Sequence, residues 1–188
     1  MQKILFILLT SLLASLLASL LPLQTGANEI HSYTTSETKL LSAFIWNISK
    51  FTQWKSLVSK KPKEHRIKLI VVDNDSLAED LKTLIGAKKL NDFEVEVQSA
   101  AMAKLEQTRG EIVVLIPDVA HTPSAALKKL KGCRCLSVTY EEGLALEGAI
   151  VNFYTVDERL RFEINLHQAK EEGLELSSQL LKLGKLIE

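Results

Sequence analysis

Among 188 residues there are only two cysteines, four prolines and eight glycines, and no excess of either charge: Lys plus Arg and Asp plus Glu number 23 each. Each shortage excludes something. A balanced charge removes the electrostatic ground for a nucleic-acid partner or an anionic membrane surface. Two cysteines cannot make the framework of a small disulfide-stapled domain. No G-x-G-x-x-G and no P-loop occurs, so the glycine-rich cradles for dinucleotides and phosphates are missing. G-x-S-x-G is absent as well, and no Cys-His pair is suggested by context, which leaves nucleophilic catalysis without support. His31, His65, His121 and His167 are scattered with no H-x-x-x-H spacing, as surface and loop histidines are. The expectation is a protein that is not an enzyme, with no catalytic residue, no metal ligand and no cofactor.

What is abundant comes first in the chain. Lys3 precedes an apolar run from Ile4 to Leu21 broken only by Thr and Ser, then Pro22 and the small residues of Thr25-Gly26-Ala27. This is the pattern of a secretory signal cleaved after Ala27. The run is also just long enough to span a bilayer, so an uncleaved N-terminal anchor is the second reading. No cysteine follows the run, which argues against a bacterial lipoprotein. Either way the domain, residues 28–188, lies outside the cytoplasm, where a disulfide is allowed. The two cysteines stand as Cys133-x-Cys135 after Gly132. In an extended strand such a pair is too far apart to bridge without a sharp local turn. A bridge within the chain, a bridge to another chain and two free thiols all stay open. C-x-C without a second pair or a nearby His is a weak metal signal.

Along the exported part, Thr34 and Glu37 have capping-box spacing. Leu40, Leu41, Phe44, Ile45, Ile48 and Phe51 follow at helical spacing, which predicts a helix ending near Trp54. Arg66–Val72 reads as a first strand and Asp73-Asn74-Asp75-Ser76 as a loop and helix cap. A helix over Ala78–Leu84, a strand at Phe93–Val97, a short helix over Ala100–Gln107 and a strand at Glu111–Ile116 come next. A helix over residues 123–131 and a strand at Leu136–Tyr140 complete the alternation. Alternating runs at Ile150–Val156 and Leu160–Ile164, separated by a short gap, predict a hairpin. Leu176, Leu180, Leu183 and Ile187 then predict a closing amphipathic helix, with Gly184 as an interruption. Strands that alternate with helices imply a mostly parallel sheet with right-handed crossovers. The fold class is therefore a single α/β domain: a mixed, mostly parallel sheet flanked by helices, with a C-terminal hairpin followed by a helix.

Three groups of residues are candidates for function. Trp46 and Trp54 on the first helix either pack it against the sheet or present an aromatic anchor to a protein partner. Arg159, Arg161, Glu163 and Asn165 share one face of a strand, either as an internal ladder or as a partner-reading patch. Asp73, Asp75, Asp118 and Thr139 fall at strand ends, where open α/β sheets bind ligands. That layout is faintly similar to a phosphoryl-accepting receiver. Asp118 lies beyond a proline, however, and no Lys-Pro pair follows a fifth strand, so helix capping and turn formation are the plainer roles.

Taken together, these segments resemble the YfiR family of small periplasmic regulators, from about Leu40 to the C-terminus. S-A-F-I-W-N-I-S-K-F-T-Q-W at 42–54 is similar to the family's opening signature, with Phe44, Asn47, Lys50, Phe51 and Trp54 matching position by position. I-K-L-I-V-V-D at 67–73, Leu136-Ser137-Val138 and G-A-I-V-N-F at 148–153 resemble its strands. R-L-R-F-E-I-N at 159–165 and G-L-E-L-S-S-Q-L-L-K-L at 173–183 resemble its closing motifs. The resemblance implies a non-catalytic exported domain that represses an inner-membrane diguanylate cyclase, or the periplasmic domain of a related sensor kinase. It further implies lower cyclic di-GMP and less biofilm, and an outer-membrane-associated partner that sequesters the regulator. A homodimer is left open. Family members often carry a cysteine where Glu111 stands, and two bridges; Cys133 and Cys135 alone cannot reproduce that pattern, which puts a redox switch of the family type in doubt. The runner-up is a periplasmic small-ligand-binding module built on the loops around Asp73, Asp118 and Thr139.

Overall fold

A computed structural model describes residues 33–107, 109–118 and 123–187. Residues 1–27, where the sequence predicts a signal segment, and His31 and His121 lie outside them. The first helix, α1 (Thr35–Lys50), opens on a capping box: the Thr34 hydroxyl accepts the Glu37 N–H at 3.3 Å, and the Glu37 carboxylate accepts the Thr34 N–H at 2.7 Å. The Thr34 N–H, and then the Thr34 hydroxyl at 2.8 Å, donate to the Glu37 carboxylate; these bonds favour its ionised form and hold it below the usual carboxylate range. The helix stops four residues earlier than its apolar spacing predicts. After Phe51 the chain extends as β1 (Thr52–Trp54), whose partner is a distant antiparallel strand, β9 (Leu174–Leu176).

The main sheet begins with β2 (Arg66–Val72). It continues through β3 (Lys89–Leu90), β4 (Phe93–Ala100), β5 (Ile112–Leu115), β6 (Leu136–Tyr140), β7 (Val151–Val156), β8 (Arg159–Asn165) and β10 (Lys185–Ile187). In space the order is β10-β8-β7-β6-β5-β2-β4-β3. The five strands β4-β2-β5-β6-β7 are mutually parallel, and the hairpin strand β8 runs antiparallel to β7. The winding reverses between β2 and β5, a doubly wound arrangement with its switch point there. Every residue of β5 is buried, as a central parallel strand requires. With α2 (Asp75–Ile85), α1 covers one face over Leu69, Val71, Val114, Val138, Val151 and Phe162. The helix α3 (Pro123–Leu130) and a 3-10 turn at Met102–Gln107 cover the middle of the other face, over Ile70, Val72, Val113 and Leu115.

The hairpin forms as predicted. Its two turn residues, Asp157 and Glu158, have φ of 49° and 58°, the primed turn that matches strand twist. The helix after it is the short α4 (Leu166–Glu171), capped by Asn165, whose side-chain oxygen accepts the Gln168 N–H at 2.8 Å. The leucine stripe further on is not one helix. Only Ser178–Leu181, α5, is helical; Leu176 ends β9, Ile187 ends β10, and Leu183 is 70% exposed. Gly184 explains the break. A Cβ there would sit 2.6 Å from the Phe162 ring and 2.9 Å from Ile164, so the chain passes flush against β8 before adding β10 beside it. Local periodicity is a weak prior, and tertiary pairing overrides it here.

Candidate functional site

The aromatic candidates are inside. Trp46 is 7% exposed and Trp54 3%, both within the core under α1 and α2. The Trp54 indole N–H donates to the Glu111 carbonyl at 3.0 Å. Glu111, which occupies the position where the family resemblance leads one to expect a cysteine, is a junction. One carboxylate oxygen lies 2.9 Å from His65 Nε2, and the other accepts the Lys68 N–H at 2.8 Å. The packing role of the two indoles is therefore the observed one, and in this conformation neither offers a face to a partner. Of the five signature residues, Asn47 and Lys50 are exposed.

Arg159, Arg161 and Glu163 share a sheet face, as alternation predicts, but separate by depth. Arg159 and Arg161 are exposed; Glu163 is nearly buried. No internal Arg–Glu ladder is needed to hold Glu163. Its Oε1 accepts from Asn152 Nδ2 at 3.0 Å, and its Oε2 lies 3.8 Å from Lys185 Nζ. The Asn152 side-chain oxygen in turn accepts from the Thr139 hydroxyl at 2.7 Å and from the Glu141 N–H at 3.2 Å. A polar chain thus crosses β6, β7, β8 and β10 through a buried part of the sheet, where each group satisfies the next. Beyond its end, Arg161 pairs across from Tyr154 and Arg159 from the exposed Val156. This basic strip, flanked by Tyr154 and Val156, is the accessible part of the predicted patch.

The strand-end carboxylates serve the loops. Asp73 has φ of 48°; its N–H donates to the Ala100 carbonyl, its carbonyl accepts the Asp118 N–H, and its carboxylate accepts the Met102 N–H at 3.2 Å. Asn74, rather than Asp75 or Ser76, caps α2, and its side-chain amide reaches the Ile116 carbonyl at 2.8 Å. Thr139 is buried in the polar chain described above. Near this edge, Tyr33 stacks on Tyr140 with ring centres 5.8 Å apart. Burial pushes the Tyr33 hydroxyl up to about 12, and Tyr140, Glu37, Glu141 and Asp118 push the same way.

Cys133 and Cys135 are bonded to each other, with Cα atoms 5.3 Å apart. Gly132 and Arg134, at φ of 77° and 59°, make the sharp turn that so short a separation demands. The turn aims two backbone amides at one carboxylate: Gly132 and Arg134 N–H each donate to Glu172 at 2.7 Å, one per oxygen. Gln168 Nε2 adds a third bond at 3.2 Å. Glu172 is only 5% exposed, and nothing in its local sequence marks it; its role follows from where α4 lands. Beside this clamp lies a cavity of about 170 Å³ lined by Lys131, Cys133, Ser137, Glu147, Gln168 and Glu172, among others. Among the described residues no cluster of His, Cys, Asp or Glu has the geometry of a metal site. No helix among them is long and apolar enough to cross a membrane.

A family model described as YfiR/HmsC-like matches residues 38–185. No curated protein matches the chain. Among solved structures, a conserved domain protein from Vibrio cholerae O1 biovar El Tor is similar with a TM-score of 0.55 at 11% identity, over 79% of this chain and 60% of that one. The ABC domain in complex with L-Trp from Streptococcus pneumoniae gives 0.48 at 9% identity, over 74% and 60%. The chain thus spans 60% of the length of each of these structures, and the likeness to the first is one of fold.

Proposed function

Because the chain belongs to the YfiR/HmsC-like family, matched over 38–185, we propose that it is a non-catalytic periplasmic regulator that binds and represses an inner-membrane diguanylate cyclase or a related sensor. The family match carries this reading. Its consequence is lower cyclic di-GMP and less biofilm while the regulator is free. An outer-membrane-associated protein that sequesters the regulator would relieve the repression. Residues 1–27 serve as the export signal in this scheme. The mechanism is a population shift: the regulator binds the inactive sensor more tightly than the active one. Turning a 1:99 mixture into 99:1 takes about 5.5 kcal/mol of differential affinity. The exposed strip of Arg159, Arg161, Tyr154 and Val156 is the surface we assign to the sensor, since Arg and Tyr are favoured at interface anchors.

The test is deletion of the gene with measurement of cellular cyclic di-GMP, complemented by the full chain and by a chain lacking residues 2–27. The expected result is a rise reversed by the full chain alone. Arg161→Glu, exported at the normal level, is expected to fail to restore repression. Unchanged cyclic di-GMP on deletion would overturn the reading. The second reading, a small-ligand module feeding a membrane sensor, is supported by the cavity beside Glu172 rather than by the strand-end loops, whose Asp73 and Thr139 are engaged in the scaffold. A metabolite co-purifying with the protein would favour it.

A further inference from the structure

The chain carries no net charge, yet the fold sorts its charges between the two ends of the sheet. Parallel strands all start at one end and finish at the other. Acids gather where they finish: Asp73 after β2, Asp118 after β5, Glu141 and Glu142 after β6, and Asp157 and Glu158 after β7. Bases gather where they start. Lys60, Lys61 and Lys63 precede β2, Arg109 precedes β5, and Lys128, Lys131 and Arg134 precede β6, all of them exposed. β5 pairs with β2 on one side and β6 on the other, so the two lysine loops start about 10 Å apart on one end of the sheet. Two acids interrupt this stretch, and both are engaged: Glu64 with Lys61 at 3.0 Å, Glu111 with His65 and the Lys68 N–H.

The loop before β2 also stands out from that end. Leu69 pairs with Ile112, the first residue of β5, whereas β2 begins earlier, at Arg66, about 10 Å further out. On this loop Val58 is 86% exposed, between Lys55 and Lys60. We propose that the basic end rests on a bilayer containing anionic phospholipid, with Val58 entering the headgroup layer. Each Lys or Arg near such a surface strengthens binding by about five-fold at low salt. The band is mostly lysine, which is depleted at protein interfaces because fixing its long side chain costs entropy. A fluid lipid surface leaves those side chains mobile. An apolar side chain among lysines is what an interfacial contact uses, one part buried at the headgroup boundary and the rest in water. The strip of Tyr154, Val156, Arg159 and Arg161 lies at the other end, where β7 finishes, so lipid contact leaves it open. The proposal is independent of what the protein regulates.

The experiment is co-sedimentation of residues 28–188, which include the whole described fold, with vesicles of phosphatidylcholine alone or mixed with phosphatidylglycerol. The expected result is binding to the anionic vesicles only, weakening as salt rises. Lys60→Gln combined with Lys63→Gln is expected to weaken it about twenty- to thirty-fold at low salt, and Lys128→Gln combined with Lys131→Gln by a similar factor. Lys39→Gln, near the start of α1 on the acidic side, is expected to change it less than about two-fold. Val58→Ser is expected to weaken it about three- to ten-fold at every salt concentration, since the loss is apolar. All these side chains are exposed, so the fold is expected to be unchanged by circular dichroism. No binding to the anionic vesicles, or equal binding to both kinds, would overturn the proposal. So would a loss in Lys39→Gln as large as that per lysine at the basic end. Dependence on these lysines seen only with a second protein, and never with vesicles, would give the basic end to that protein.

Discussion

Replacing Glu172 by Gln tests whether the disulfide turn and α4 form one unit. The carboxylate is nearly buried and takes two backbone N–H bonds at 2.7 Å, one on each oxygen. Gln keeps the volume but turns one acceptor into a donor, so either Gly132 or Arg134 is left facing an N–H. Hydrogen bonds to a charged group contribute about 1.5–3 kcal/mol each, and an orphaned buried donor costs about 1–3 kcal/mol. Losing one bond and weakening the other gives an expected destabilisation of about 2–3 kcal/mol. The assay is urea unfolding of the oxidised protein, read as a lowered midpoint at unchanged slope. The disulfide supplies the second arm. Cys133 and Cys135 close a loop of three residues, for which chain entropy alone accounts for about 1.6 kcal/mol. If the bond also holds the two amides in place for Glu172, replacing both cysteines by Ser is expected to cost more than that. The loss is expected to shrink in the Glu172→Gln background. Independent sites add within about 0.5 kcal/mol, so a coupling below that value would refute the idea that the turn and the carboxylate act together. A midpoint unmoved by Glu172→Gln would refute the clamp itself.

Gly184→Ala forces a methyl group to within 2.6 Å of the Phe162 ring, and about 1–3 kcal/mol of destabilisation is expected in the same unfolding assay. Trp54→Phe keeps most of the buried ring and removes the indole bond to the Glu111 carbonyl, which still accepts the Leu136 N–H at 2.8 Å; about 0.5–1.5 kcal/mol is expected, with near-native circular dichroism. Because Tyr33 holds its proton up to about 12 in the fold against about 10 when unfolded, the folded state binds more protons between those values. Its contribution is therefore complete below pH 10 and lost as pH rises toward 12, and Tyr33→Phe is expected to flatten that part of the stability profile. A wild-type profile already flat there would show that Tyr33 titrates as it does in the unfolded chain.

The sequence by itself determined the order and kind of most elements. Arg66–Val72 and Leu136–Tyr140 appear with the bounds their apolar runs imply, and the capping box at Thr34 and Glu37 forms as its spacing requires. These signals are local: an apolar period, a cap and a turn involve residues within a few positions of one another. The motifs at 42–54, 148–153 and 159–165 were legible for the same reason, each being a short string. Only the tertiary structure decided what depends on residues far apart. It sent Thr52–Trp54 into a strand because Leu174–Leu176 lies beside it, and it broke the leucine stripe at Gly184 because Phe162 leaves no room for a side chain. It buried both indoles, separated Glu163 from the two exposed arginines on its own strand, and bonded Cys133 to Cys135 through a left-handed Arg134. Glu172, some 38 residues beyond that turn, shows no local sign of its task. The physical reason is the same in every case. Local sequence sets what a segment can form at little cost, whereas burial and hydrogen-bond satisfaction, which select among those forms, are properties of whatever else packs against it.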